Sequence, residues 1–260
     1  MPIVTLFLFV CLAVAAFADV PAGLRAPSFN ISEAPRGLTA GWLDLEKVGG
    51  EMPTARLTSG GNLGVDVSQP LSQSTASCLV GDGYGTVLIP RAYLSYGQVD
   101  TAACGTIQAG VAAGFSNIGA YMFPCPSCGP ASTQVQSLVD YLNGCSAFNG
   151  IIWLDIEGAQ YWLGDTTANR NWYQNLVDAC KRTGYSCGVY ASYYQWQSLF
   201  GSVDYEYGAN LPLWYAHYDG NPSFSDWSGL SFGGFTPFAK QYQGDQTVCS
   251  FGVDLNYYPH

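Results

Sequence analysis

The chain has 260 residues, 48% of them hydrophobic and only 11% charged, which supplies ample material for a packed core and excludes a disordered or fibrous protein. Its formal net charge of −10 argues against nucleic acid or an anionic membrane surface as a partner. The charge is uneven, because five of the nine basic residues but fourteen of the nineteen acidic ones lie beyond residue 60.

Met1 to Ala18 is an apolar run closing on Ala16-Phe17-Ala18, the h-region and small-residue cleavage pattern of a secretory signal peptide, although it lacks a basic n-region. The run is short for a spanning helix and no other segment is long and apolar enough, so a secreted or endolysosomal protein without a membrane span is expected. Residues 19–60 are rich in Pro and Gly without sustained periodicity and read as a linker or pro-segment ending near Gly60-Gly61. The only permitted glycosylation sequon, Asn30-Ile31-Ser32, falls there. Of nine cysteines, Cys11 lies in the leader, and an even set remains in an exported chain, which implies four disulfides. Cys125 with Cys128 and Cys180 with Cys187 each close a small loop and read as local bridges. The pairing of Cys78, Cys104, Cys145 and Cys249 stays open.

From Leu63 onward, strand-like runs alternate with helical patterns. The runs are Leu63–Ser68, Thr86–Ile89, Asn117–Phe123, Gly150–Glu157, Cys187–Tyr190, Leu213–Ala216, Lys240–Tyr242 and Val253–Asn256, and the clearest helices are Ser132–Asn143 and Thr167–Thr183. This alternation predicts an α/β fold with a parallel sheet, and about eight strands favour an irregular TIM-like barrel over residues 61–260, with fewer helices in its second half. Such barrels carry their sites at the C-terminal ends of the strands. Asp66, the pair Asp155/Glu157, and Asp254 are all expected there, with Asp66 beside Asp254 because the first and last strands of a closed barrel are neighbours.

Four carboxylates at one mouth repel one another, so at least one keeps its proton toward neutral pH, as a general acid must. Paired acids flanking a bond are the equipment of glycoside hydrolysis. Tyr121, Phe123, Tyr190, Trp214, Tyr218 and Tyr242 fall on or just past strand ends, where flat rings with polar edges suit sugar faces.

The motifs Asp66-Val-Ser, Tyr121-Met-Phe123, Asp155-Ile-Glu157, Trp214-Tyr-Ala-His-Tyr218, Gln241-Tyr242 and Asp254-Leu-Asn256 occur in the order and spacing of glycoside hydrolase family 25, and residues 61–258 resemble these muramidases, often called Chalaropsis-type lysozymes. The resemblance implies hydrolysis of the β-1,4 bond between N-acetylmuramic acid and N-acetylglucosamine in bacterial peptidoglycan, without metal or cofactor. It implies Glu157 as proton donor, and Asp155 as nucleophile or as the group that orients the substrate's N-acetyl group. Asp66 and Asp254 would tune and position, and Tyr121, Phe123, Trp214, Tyr218, Gln241, Tyr242 and Asn256 would bind substrate. A monomer is expected. Two features depart from the family: His217, where another polar residue is common, and the cysteine-rich stretch Phe123–Pro130.

A chitinase-like glycosidase also ends its fourth strand in Asp-x-Glu, but the further aspartates of that signature are replaced by Trp153 and Gly150. A non-catalytic peptidoglycan- or sugar-binding module would be marked by loss of an acid, and all four are present. Cys125-Pro-Ser-Cys128 matches a thioredoxin-like motif, yet the eight-strand alternation is too long for that fold. Finally, the excess of acids predicts repulsion from anionic cell walls at neutral pH and an acidic optimum.

Overall fold

An apolar run of four to eight residues cannot bury both of its faces alone, and here eight such strands do so by closing a ring. The computed structural model describes residues 62–145 and 148–259. The leader, the 19–60 segment with its sequon, and His260 lie outside them. Strand β1 (Asn62–Val67) pairs in parallel with β2 (Val87–Leu94), and β2 with β4 (Asn117–Ile118) and β5 (Ala120–Met122). The parallel series continues through β6 (Ile152–Asp155), β7 (Cys187–Ala191), β8 (Leu213–Ala216) and β9 (Pro237–Val248). The last strand, β10 (Phe251–Tyr258), closes the barrel by running antiparallel to both β9 and β1. A two-residue β3 (Gln98–Val99) pairs with the end of β2.

The expected barrel is present, but one strand breaks the expected parallel order. Residues Cys249 and Ser250 adopt positive φ angles of 56° and 59° and turn β9 directly into β10. A tight turn of that kind can join only antiparallel strands, whereas a parallel return needs a crossover of a dozen or more residues. The two strands are also longer than their apolar runs, at 12 and 8 residues.

Helices α1 (Gln73–Leu79), α2 (Ala103–Ala113), α3 (Ala131–Asn143), α4 (Thr166–Lys181) and α5 (Tyr193–Phe200) pack outside the ring, and the four-residue α6 (Trp227–Leu230) is the last. Side chains of Ser72, Asp165 and Ser192 accept hydrogen bonds from the N–H groups of Thr75, Ala168 and Gln195 and so start α1, α4 and α5. No helix among the described residues is long and apolar enough to cross a membrane.

Period-two alternation sorts each strand into two layers. Val65, Leu88, Ile152, Leu154, Val189, Leu213 and Leu255 face outward into the core shared with the helices. Val87, Ile89, Ile151, Trp153, Trp214, Ala239 and Tyr258 face inward and fill the barrel. The Trp153 indole fits because position 188 is glycine: a Cβ there would lie 2.4 Å from its ring.

All eight cysteines among the described residues are paired. Both expected local bridges form, Cys104 pairs with Cys145, and Cys78 on α1 is tied to Cys249 at the β9–β10 turn. The last link joins positions 171 apart, and closing so long a loop is worth about 5 kcal/mol in the chain-entropy account.

Candidate active site

Followed toward the C-terminal end of each parallel strand, the inward line of side chains turns from apolar to polar. Strand β1 delivers Asp66, β2 Arg91, β5 Tyr121 with Phe123 just beyond, β6 Asp155 with Glu157 two residues on, β7 Tyr190, β8 Trp214 with Tyr218 beyond, and β9 Gln241. Because β10 runs the other way, Asp254 enters from that strand's N-terminal half rather than from a C-terminal end as expected, yet it is still the register partner of Asp66. These side chains line one cleft. A second cavity adjoins it, sharing Glu157, Tyr190 and Tyr218 and adding Ser192, Tyr194, Gln195 and His217.

Asp66, 6% exposed, is held by two amides: Gln241 Nε2 donates to Oδ1 at 2.9 Å and Asn256 Nδ2 at 2.7 Å. Gln241 Nε2 also donates to Asp254 Oδ2 at 3.2 Å, and its carbonyl oxygen accepts from the hydroxyls of Tyr190 (2.6 Å) and Tyr218 (2.8 Å). Trp214 Nε1 donates to Asn256 Oδ1 at 2.7 Å, which fixes the amide that faces Asp66. Asp155 is treated differently. It is 3% exposed, makes no side-chain hydrogen bond to the described residues, and leaves Oδ1 buried without a partner. A buried carboxyl in that condition is costly as an anion, and a ligand N–H would relieve it.

Crowding and burial move the acids one way. Burial, followed by the charge of Asp254, raises Asp66 well above the ordinary carboxylate range against the pull of its two amide donors. Burial, then Glu157 and Asp66, does the same for Asp155. Glu157 is raised by burial and by Asp254. Burial also raises Asp254, opposed by the backbone N–H of Asp245, which donates to it at 2.7 Å. The backbone carrying Glu157 is pinned, since its carbonyl accepts from Trp162 Nε1 at 2.9 Å and the N–H of Gly158 donates to Gln195 Oε1 at 3.2 Å. Gly158 holds a φ of +68°, a conformation that glycine adopts without strain.

Most of the sequence-predicted residues meet here, with two displaced. Tyr242 follows Gln241 on β9, so alternation turns it to the outward layer, where it packs in the helix-side core instead of on the cleft. Asn256 lies fully buried beneath the cleft and acts on Asp66. Arg91 was missed, although its place two residues beyond the inward Val87 and Ile89 line was legible as alternation.

A second polar cluster sits beside the site. Lys240, 0% exposed, places Nζ 2.8 Å from Asp219 and 3.1 Å from Asp226, and His217 Nδ1 lies 2.6 Å from Asp226. His217, Asp219 and Asp226 are spaced closely enough to surround a cation, and the Lys240 ammonium already lies against both aspartates.

An irregular eight-stranded barrel whose mouth gathers buried and half-buried carboxylates among aromatic rings has the equipment of a glycoside hydrolase. The family described as "Lysozyme-like protein 1" matches residues 58–242. A Dictyostelium discoideum protein named "Probable GH family 25 lysozyme 2" is 44% identical over 196 residues, covering 75% of this chain and 90% of the relative. The similarly named lysozyme 4 of that organism is 39% identical, over 76% and 90%. The crystal structure of a bacterial lysozyme from Streptomyces coelicolor superposes with a TM-score of 0.61 at 25% identity, over 78% of this chain and 94% of that one. The chain belongs to glycoside hydrolase family 25, the lysozyme family.

Proposed function

We propose that the protein is an exported lysozyme that hydrolyses the β-1,4 bond between N-acetylmuramic acid and N-acetylglucosamine in bacterial peptidoglycan, with Glu157 as its general acid. The observation that carries this reading is the position of Glu157 on the boundary between two adjoining cavities, with burial and Asp254 holding its carboxyl toward the protonated form. A glycosidic oxygen joining a sugar in the acid-lined cleft to one in the neighbouring cavity lies at that boundary, where a proton donor is needed.

Asp155 supplies the second role. Its unpartnered buried oxygen accepts the N–H of the substrate's acetamido group, which turns the acetyl oxygen toward the anomeric carbon. As that oxygen attacks, the glycosidic C–O bond breaks and the Glu157 proton passes to the departing sugar oxygen. Water then adds to the anomeric carbon, its bond to the acetyl oxygen breaks to restore the acetamido group, and one proton of the water passes to Glu157. Asp66, fixed by Gln241 and Asn256, and Asp254 position the sugar and stabilise its positive charge. Residues 1–18 act as the export signal and 19–60 as the connecting segment, and the four disulfides favour an oxidising compartment.

Digestion of purified cell wall, followed by mass spectrometry of the released fragments, tests the reading. Fragments with reducing N-acetylmuramic acid ends are expected. Reducing N-acetylglucosamine ends would overturn the bond assignment, and wall binding without any fragment would overturn catalysis in favour of a binding module.

A further inference from the structure

N-acetylmuramic acid differs from N-acetylglucosamine only in a lactyl ether, an acid, on the 3-oxygen. A cleft lined by Asp66, Asp155, Glu157 and Asp254 repels such a group unless something in it is positive. Among the described residues lining the cleft, Arg91 is the one cation. It reaches the mouth by strand alternation, on the same inward line of β2 as Val87 and Ile89 and in register with Tyr121 on β5.

The guanidinium is fixed before any ligand arrives. Nε donates to Asp100 Oδ2 at 3.0 Å, and Nη2 donates to the Ser68 carbonyl at 2.8 Å. Asp100 is itself held, its Oδ1 accepting from the backbone N–H of Ala102 at 3.2 Å. Guanidinium offers five N–H donors in a rigid plane, so these two bonds leave three. Nη1 has no hydrogen-bond partner among the described residues, and the side chain is 27% exposed. A planar donor locked on one edge and open on the other, in an otherwise acidic cleft, is built to receive a carboxyl oxygen.

We infer that Arg91 is the residue that reads the muramic acid, its Nη1 edge binding the carboxyl group of the lactyl ether on the sugar held in the acid-lined cleft. The inference rests on the muramidase reading above and adds to it the group that separates a muramyl from a glucosaminyl residue. The aromatic and amide side chains of the cleft act on features both sugars share. Arg91 acts on the feature they do not.

The test compares peptide-free peptidoglycan glycan carrying its native lactyl carboxylates with the same glycan after chemical reduction of those carboxyls to alcohols. Wild type is expected to show a kcat/KM about tenfold or more higher on the native glycan, the size of a charge-assisted hydrogen bond. In Arg91→Gln the preference collapses to within about twofold, and Arg91→Lys keeps an intermediate preference because it retains charge without the fork. The ratio of the two substrates does not depend on how much of a variant folds, so loss of the Asp100 pair cannot imitate the result. Equal rates of wild type on both glycans, or an undiminished preference in Arg91→Gln, would overturn the inference while leaving the lysozyme intact. Cleavage of neither glycan by wild type would overturn the lysozyme reading and this inference with it.

Discussion

Two groups of carboxylates are served by adjacent residues of β9, Gln241 and Lys240, and their partners give them opposite characters. At the barrel mouth, Asp66, Asp155, Glu157 and Asp254 meet amides, hydroxyls and one another, and all four are pushed toward their protonated forms. On the outer side of β9, Asp219 and Asp226 share the buried ammonium of Lys240, with His217 and the Tyr215 hydroxyl, which donates to Asp226 at 2.8 Å, completing the set. There burial alone would raise Asp226, but the hydrogen bonds from Tyr215, His217 and Lys240 outweigh it and hold the carboxyl below its ordinary value. Acidity alone therefore says little about chemistry. What distinguishes the reactive group is that its charges are left uncompensated in a place a ligand can enter.

The largest effect should come from breaking the compensated cluster. Lys240→Met removes the cation and leaves two aspartates facing each other, and urea unfolding should report a loss of about 3 kcal/mol. Gln241→Leu strikes the mouth through its scaffold. It takes one amide from Asp66 and removes the oxygen that accepts from the Tyr190 and Tyr218 hydroxyls, which should cost about 2 kcal/mol. With that donor gone the Asp66 carboxyl rises further, so the acidic limb of the pH–rate profile should move to higher pH. Asp155→Asn, by contrast, should stabilise the protein by about 1 kcal/mol while abolishing turnover, as expected where an uncompensated charge is kept for function. Calorimetry together with a turnover assay reads both halves of that prediction.

The smallest effect is a difference in pH dependence. A carboxyl raised in the folded state contributes stability at low pH that is lost as pH climbs from the ordinary value of about 4 through the raised one. Asp155 falls in this class. Asp226 is depressed, so its contribution is present above the ordinary value and lost as pH falls through the lowered one. Unfolding free energies measured from pH 3 to pH 8 should accordingly flatten above about pH 4 in Asp155→Asn and flatten at the acid end in Asp226→Asn. Identical slopes in the two variants would remove the basis of the comparison.

Legibility in the sequence followed the same division. Asp155 and Glu157 stood out because a four-residue apolar strand ended in acids, and the adjacency of Asp66 and Asp254 followed from ring closure alone. Helices α3 and α4 were visible through their periodicity. The direction of β10 was not, because the turn at Cys249 and Ser250 carries no glycine or asparagine to announce its positive φ angles. Tyr242 was placed on the wrong face, since a motif names neighbouring residues while alternation sends them to opposite sides. The pairing of His217 and Lys240 with Asp226 was equally hidden, as it depends on the path of the loop between β8 and β9 and has no period to read.

Delivery of the proton from Glu157 to the departing sugar should show itself in a dependence on the leaving group. Glu157→Gln should be assayed on a peptidoglycan oligosaccharide, whose departing alkoxide needs protonation, and on the matching dinitrophenyl glycoside, whose departing phenolate does not. A loss of about 10³-fold is expected on the oligosaccharide, within the range of a general acid, and a loss of less than about tenfold on the aryl glycoside. Equal losses on the two substrates would contradict delivery by Glu157 and assign the proton to another group.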